Sequence, residues 1–212
     1  MPQEAPRRLL LATRNPGKLA ELRALLADLP IEVAAAVDAP EVDETGSTFA
    51  ENARLKALAV ARWSGEWALA DDSGLEVDAL GGRPGVLSSR YAGSGATDAE
   101  RNARLLAELA DVPDAARTAR FRCVIALAAP DGRVWMREGA CEGRIARAPR
   151  GSHGFGYDPV FLLPERGLTM AELPPEEKSR ISHRARALSA MREVLQGLIT
   201  RTSSTTEDTE ST

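Results

Sequence analysis

Two adjacent aspartates, Asp71 and Asp72, with Ser73 and Gly74 behind them, are the residues of this chain best suited to chemistry. They follow a short apolar run, Trp67-Ala68-Leu69-Ala70, that reads as the end of a buried strand. Side chains alternate faces along a strand, so both carboxylates cannot point the same way. One supports the expected turn, where Gly74 provides backbone freedom. The other projects into a cleft, where a carboxylate can bind a hard cation or take a proton from water.

Four further segments combine polar groups with suggestive spacing. Thr13-Arg14-Asn15-Pro16-Gly17-Lys18 lies between an apolar run and a leucine-striped stretch. Backbone N–H groups at such a helix start, with the helix dipole, suit an anion. Lys18 adds charge and Thr13 a hydroxyl, although the Walker spacing is missing and an ordinary turn would also need Pro16 and Gly17. Glu44-Thr45-Gly46 precedes Asn52 and Lys56, which share one helical face. A carboxylate, an amide and an ammonium there suit a metal–phosphate complex, and a solvated face is the plainer alternative. Gly154-Phe155-Gly156-Tyr157-Asp158-Pro159 lets a ligand approach the backbone, with an aromatic ring for stacking. Equally, Phe155 and Tyr157 could fill the core. Finally, Glu177 to Arg184 opens the last expected helix, where Ser182 can cap, while Lys178, His183 and Arg184 bring positive groups to a helix start that disfavours them.

The elements that must position these groups alternate. Leu9 to Ala12 reads as a strand, Leu19 to Leu29 as a helix with a leucine face, and Ile31 to Val37 as a second strand. Thr48 with Glu51, and Thr97 with Glu100, are capping boxes for helices reaching about Trp63 and Ala110. Asp131-Gly132 between two apolar runs predicts a hairpin, Phe121 to Ala129 against Arg133 to Ile145. A short strand over Val160 to Leu163 and a helix over His183 to Leu198 follow. The order predicts an α/β protein.

The chain has 212 residues, 43% hydrophobic, with a net charge of −4. That supports a single domain over residues 1–200, followed by a disordered acidic tail over 201–212. No long basic block suggests nucleic acid, and no stretch is long enough to span a membrane. Met1 to Arg8 lacks the apolar segment of a signal peptide, so a cytoplasmic location is expected. Cys123 and Cys141 lack zinc spacing and read as reduced thiols.

Taken together, these segments closely resemble the inosine-triphosphate pyrophosphatase family, the bacterial dITP/XTP pyrophosphatases. The matching stretches are TRNPGK, ETGSTFAENARLKA, ADDSGLEVDALGGRPGVLSSRYAG, GFGYDPVF and EEKSRISHRARAL, from Leu9 to about Leu195. The resemblance implies a two-lobed α/β fold around a long, mixed, twisted sheet with flanking helices, and an active-site cleft between the lobes. It implies a homodimer that needs Mg2+ and hydrolyses ITP, dITP and XTP to monophosphate and pyrophosphate. By the same resemblance Thr13, Arg14, Asn15, Pro16, Gly17, Lys18 and Lys56 contact the triphosphate. Glu44 and Asp72 hold the metal, and Asp72 is also the general base. Ser73 touches substrate. Phe155, Gly156, Tyr157 and Asp158 wall the base, while Lys178, His183 and Arg184 read it. Two rivals remain: a pyrophosphatase for modified pyrimidine triphosphates, and a purine-nucleotide-binding regulator without activity.

Overall fold

A computed structural model of the chain describes residues 8–206, with side chains over residues 8–199. The chain divides into two compact units. The first holds the described residues up to Asp71, then Val124–Glu138 and the chain from Ala187 onward. The second holds Asp72–Cys123 and Gly139–Arg186.

In the first unit, β1 (Arg8–Leu11) leads into α1 (Pro16–Leu26), β2 (Glu32–Ala35), α2 (Phe49–Ser64) and the start of β3 (Trp67–Val77). Both β2 and β3 pair with β1 in parallel. Parallel neighbours need a crossover, and α1 and α2 provide one each. Strands covered on both faces read as continuous apolar runs, and Leu9, Leu11 and Leu69 are wholly buried. Local signals set the helix starts. Asn15 caps α1 by accepting a hydrogen bond from the Lys18 N–H, with Pro16 at the first helical position. Thr48 and Glu51 form the expected capping box of α2, which ends on Gly65 at φ 70°.

The second unit adds α3 (Asp98–Glu108), most of β4 (Thr118–Ala128) and β5 (Val134–Ile145), then β6 (Phe161–Leu163), β7 (Leu168–Thr169) and α4 (Pro175–Ile181). Thr97 and Glu100 form the second capping box. Leu75, Val77, Leu105, Phe121, Phe161 and Met170 belong to its core. Buried Arg117 donates to three backbone carbonyls, of Leu109, Ile145 and Ala146, at 2.6–2.9 Å. The seven-stranded sheet has the order β2-β1-β3-β4-β5-β6-β7 and is mixed, since β6 pairs antiparallel with β5 and β7. The connection through Asp131 and Gly132 is too short for anything but an antiparallel β4–β5 hairpin. The last helix, α5, runs His183–Thr206.

Two expectations are corrected. Asp71-Asp72-Ser73-Gly74 is no turn: β3 continues through it to Val77, and Gly74 is not among the glycines at positive φ. Pairing with β1 spans Trp67 to Leu69, β4 lies on the other edge, and the buried apolar residues of β3 resume at Leu75 and Val77. Ladder pairing carries the strand across residues that strands usually disfavour. The segment Glu177 to Arg184 does not open one helix. It ends α4 and begins α5, separated by Ser182 in extended conformation, whose Oγ accepts from the Ala185 N–H at 3.1 Å. Lys178 therefore sits in the last turn of α4, where a positive charge suits the dipole. The tail expected over 201–212 lies outside the described side chains, and 207–212 lie outside the described residues altogether.

Candidate functional site

In the first unit the loop Thr13–Lys18 follows β1 and opens α1. Thr13 Oγ1 accepts from the Asn15 N–H at 3.2 Å, and Asn15 Oδ1 accepts from the Lys18 N–H at 3.0 Å. Arg14 reaches the Ala39 carbonyl at 3.0 Å and the Glu41 carboxylate at 3.2 Å. Lys18 pairs with Asp71 at 3.0 Å. Arg14, Asn15 and Pro16 are exposed.

The second polar group of this unit gathers before α2. Lys56 Nζ lies 2.7 Å from Glu44 Oε1. Asn52, wholly buried, accepts from the Gly46 N–H at 2.8 Å and donates to the Gly46 carbonyl at 3.4 Å. A Cβ at Gly46 would come within 2.6 Å of Asn52 Oδ1. Asn52 therefore holds the loop that carries Glu44, while Glu51 accepts from the Ser47 and Thr48 N–H groups.

In the second unit β3 carries Asp72 and Ser73. Asp72 is buried and, one residue beyond Asp71, points to the other face of the strand. Ser73 Oγ accepts from the Arg184 guanidinium at 2.9 Å, and Arg184 is buried. The glycine loop lies in the same unit. Asp158 Oδ2 accepts from the Phe155 N–H at 2.9 Å and pairs with Lys178 at 2.5 Å, both side chains being almost fully buried. Gly154 has φ +79°, and a Cβ there would fall 2.1 Å from Asp158 Oδ2, so only glycine fits. The Phe155 ring is partly exposed, with Lys178 Nζ 4.7 Å and the Arg184 guanidinium 5.7 Å from its centroid.

The two aromatics of this loop have different employments. Tyr157 is in the core and donates its hydroxyl to the Ser88 carbonyl at 2.9 Å. Burial pushes its phenol well above the usual range, so it serves as a donor. His183 stacks on Phe121, ring centroids 4.8 Å apart. Two residues that the sequence did not single out also hold the loop. Asp98 accepts from the Gly156 N–H at 2.7 Å and Asn102 donates to the Gly156 carbonyl at 3.0 Å. The signal was present in part, because Asp98 lies inside the Thr97–Glu100 capping box.

Among the described residues no three His, Cys, Asp or Glu side chains gather as a metal cluster. Glu44 and Asp72 are oxygen donors, and Glu44 is 30% exposed beside Lys56. That donor type fits a hard divalent cation whose remaining positions are filled by phosphate and water.

A mixed seven-stranded sheet joined by helices makes this an α/β protein, with a polar βα loop at the start of α1 in one unit and a glycine loop beside two cationic side chains in the other. The chain belongs to the Ham1 family, whose model matches residues 9–194. It is 56% identical over 194 residues to the dITP/XTP pyrophosphatase of Geobacillus kaustophilus, covering 90% of this chain and 95% of that one. It is 58% identical over 190 residues to the dITP/XTP pyrophosphatase of Gloeobacter violaceus, covering 89% and 93%. Among solved structures, a HAM1 protein from Coxiella burnetii superposes with TM-score 0.82 at 48% identity, covering 90% of this chain and 98% of that one. These similarities agree with the resemblance read from the motifs.

Proposed function

We propose that this protein hydrolyses the deaminated purine nucleoside triphosphates ITP, dITP and XTP to the monophosphate and pyrophosphate, with Mg2+, and so removes them from the nucleotide pool. The observation that carries the proposal is the dITP/XTP pyrophosphatase name of relatives more than half identical over about nine-tenths of the chain. The groups described above suit that reaction.

Thr13 to Lys18 and Lys56 bind the triphosphate through backbone N–H groups and ammonium charge. Glu44 and Asp72 hold the metal, which when bound stabilises charge on the phosphate oxygens. Asp72 accepts a proton from the water that attacks the α-phosphorus, and pyrophosphate leaves. Ser73 contacts substrate. Phe155 stacks on the purine, with Gly156, Tyr157 and Asp158 forming the rest of that wall. Lys178, His183 and Arg184 supply donors for the C6 carbonyl of hypoxanthine or xanthine. Adenine has an amino group there, which offers no acceptor, at a cost of about 1–3 kcal/mol for each hydrogen bond to the base that is not made. Asp158 is engaged with Phe155 and Lys178. Its first task is to hold the loop, ahead of meeting the 2-amino group of guanine. A homodimer in the cytoplasm completes the proposal.

The test is pyrophosphate release with Mg2+ from ITP, XTP, GTP, ATP and dUTP. Faster release from ITP and XTP is expected. Equal rates on all five would remove the base specificity, preference for dUTP would favour the pyrimidine rival, and no release would leave a nucleotide-binding regulator.

A further inference from the structure

We infer that Asp98 and Asn102, on α3, are positioning residues that set the height of the glycine loop and thereby the affinity for the base; the inference rests on the proposal that this loop meets the purine. Both residues grip Gly156: the Asp98 carboxylate takes its N–H, and the Asn102 amide donates to its carbonyl. Gly156 stands between Phe155, whose ring is partly exposed, and Tyr157, whose ring is buried. It has φ +64° and nothing within 4 Å of a Cβ position, so the fixing comes through its backbone groups.

The rest of the arrangement is built to hold Asp98 and Asn102 still. Arg101 pairs with the other oxygen of Asp98, Oδ1, and donates to the Ser89 carbonyl at 3.0 Å. Asn102 is buried. The next loop residue is fixed from the same region, because Tyr157 donates to the Ser88 carbonyl. The Ser88 hydroxyl in turn accepts from the Leu75 N–H at 2.9 Å and donates to the Gly85 carbonyl at 2.6 Å. Leu75 lies on β3, two residues beyond Ser73. The hydrogen-bonded path thus runs from Gly156 and Tyr157 to the strand that carries Asp72 and Ser73. A shift of Gly156 moves Phe155 relative to Lys178 and Arg184, so the loss should fall on base binding rather than on phosphate binding.

Asp98 also stands at the first residue of α3, where any negative charge is favourable. The carboxylate's two possible roles separate by substitution. Asp98→Asn keeps an oxygen acceptor for Gly156 and loses the charge, whereas Asp98→Ala loses both. Asp98→Ala and Asn102→Ala should raise the KM for ITP about tenfold, the scale of one lost hydrogen bond to a well-held group. Their kcat should stay within about twofold, and Asp98→Asn should recover most of the loss. Direct titration should show weaker binding of IMP and unchanged binding of pyrophosphate. Amide hydrogen exchange over residues 154–158 should quicken in both alanine variants. An unchanged KM, an equal loss in Asp98→Asn and Asp98→Ala, or a parallel loss of pyrophosphate binding would overturn the inference. If wild-type protein released no pyrophosphate from ITP, the functional proposal would fail, while quickened exchange in the variants would still establish the anchoring.

Discussion

Lys18 Nζ lies 3.0 Å from Asp71 Oδ2, with the aspartate side chain wholly buried and the lysine 16% exposed. The loop that opens α1 is thereby tied to the strand that carries Asp72. Asp71 and Asp72 point to opposite faces, so the neighbouring carboxylates serve different ends. Asp71→Asn keeps the shape and removes the charge that faces Lys18. Breaking a fully buried pair costs about 3–5 kcal/mol, and the partial exposure of Lys18 reduces this to about 1–3 kcal/mol. Denaturant unfolding should show that loss, together with a raised KM for ITP. An unchanged midpoint and KM would mean that Lys18 needs no anchor.

Asp72→Asn should fold normally, since it is isosteric and lies within a paired strand. Pyrophosphate release should fall by about a hundredfold or more, the range for a lost general base. Circular dichroism checks the fold and a pyrophosphate assay the turnover. Near-normal turnover would remove Asp72 from the mechanism.

Glu44→Gln should act on the metal requirement. The Mg2+ concentration for half-maximal rate should rise about tenfold, equivalent to about 1.4 kcal/mol. Stability should move little, because a partly exposed ion pair contributes about 0–1 kcal/mol. A Mg2+ titration of the variant that overlays wild type would exclude Glu44 as a ligand.

The Tyr91–Glu108 pair in the second unit predicts a pH dependence of stability. Tyr91 Oη donates to Glu108 Oε2 at 2.6 Å. That bond, with Arg104 and Arg83 nearby, holds the Glu108 carboxyl below its ordinary value. Its contribution is therefore present above the unfolded pKa and is lost as pH falls through the folded one. Burial, helped by Glu108, pushes the Tyr91 phenol from 10.0 to about 12. Stability from that source is full below 10.0 and fades as pH rises toward about 12. Tyr91→Phe should lose stability at neutral pH and flatten both limbs of the stability–pH curve. A curve with unchanged slopes would show that the pair is not linked to folding.

The local signals were legible in the chain. Asn15 before Pro16, Thr48 with Glu51, and Thr97 with Glu100 each cap the helix expected of them, because a cap depends on residues three positions apart. Helical spacing puts Asn52 and Lys56 on one face near Glu44, and the Lys56–Glu44 contact lies in that patch. The turn expected at Asp71–Gly74 rests on two aspartates, a serine and a glycine that break an apolar run, whereas β3 continues to Val77. The backbone continues because β4 lies along β3 and buried residues resume at Leu75 and Val77. The division of labour between Phe155 and Tyr157 was likewise open, since both are large rings in one glycine loop. Core packing and the Ser88 carbonyl claim Tyr157 and leave Phe155 partly exposed.

The amino-acid sequence by itself determined the βαβ beginning, the starts of α1, α2 and α3, the hairpin and the family, all of which rest on neighbours in the chain or on the order of motifs. Tertiary structure alone decided that Asp71 meets Lys18, that Arg184 meets Ser73 across more than a hundred residues, and that α3 holds Gly156. Those contacts depend on which groups, distant along the chain, the fold brings within hydrogen-bonding distance, and a hydrogen bond weakens steeply once its distance and angle leave a narrow range.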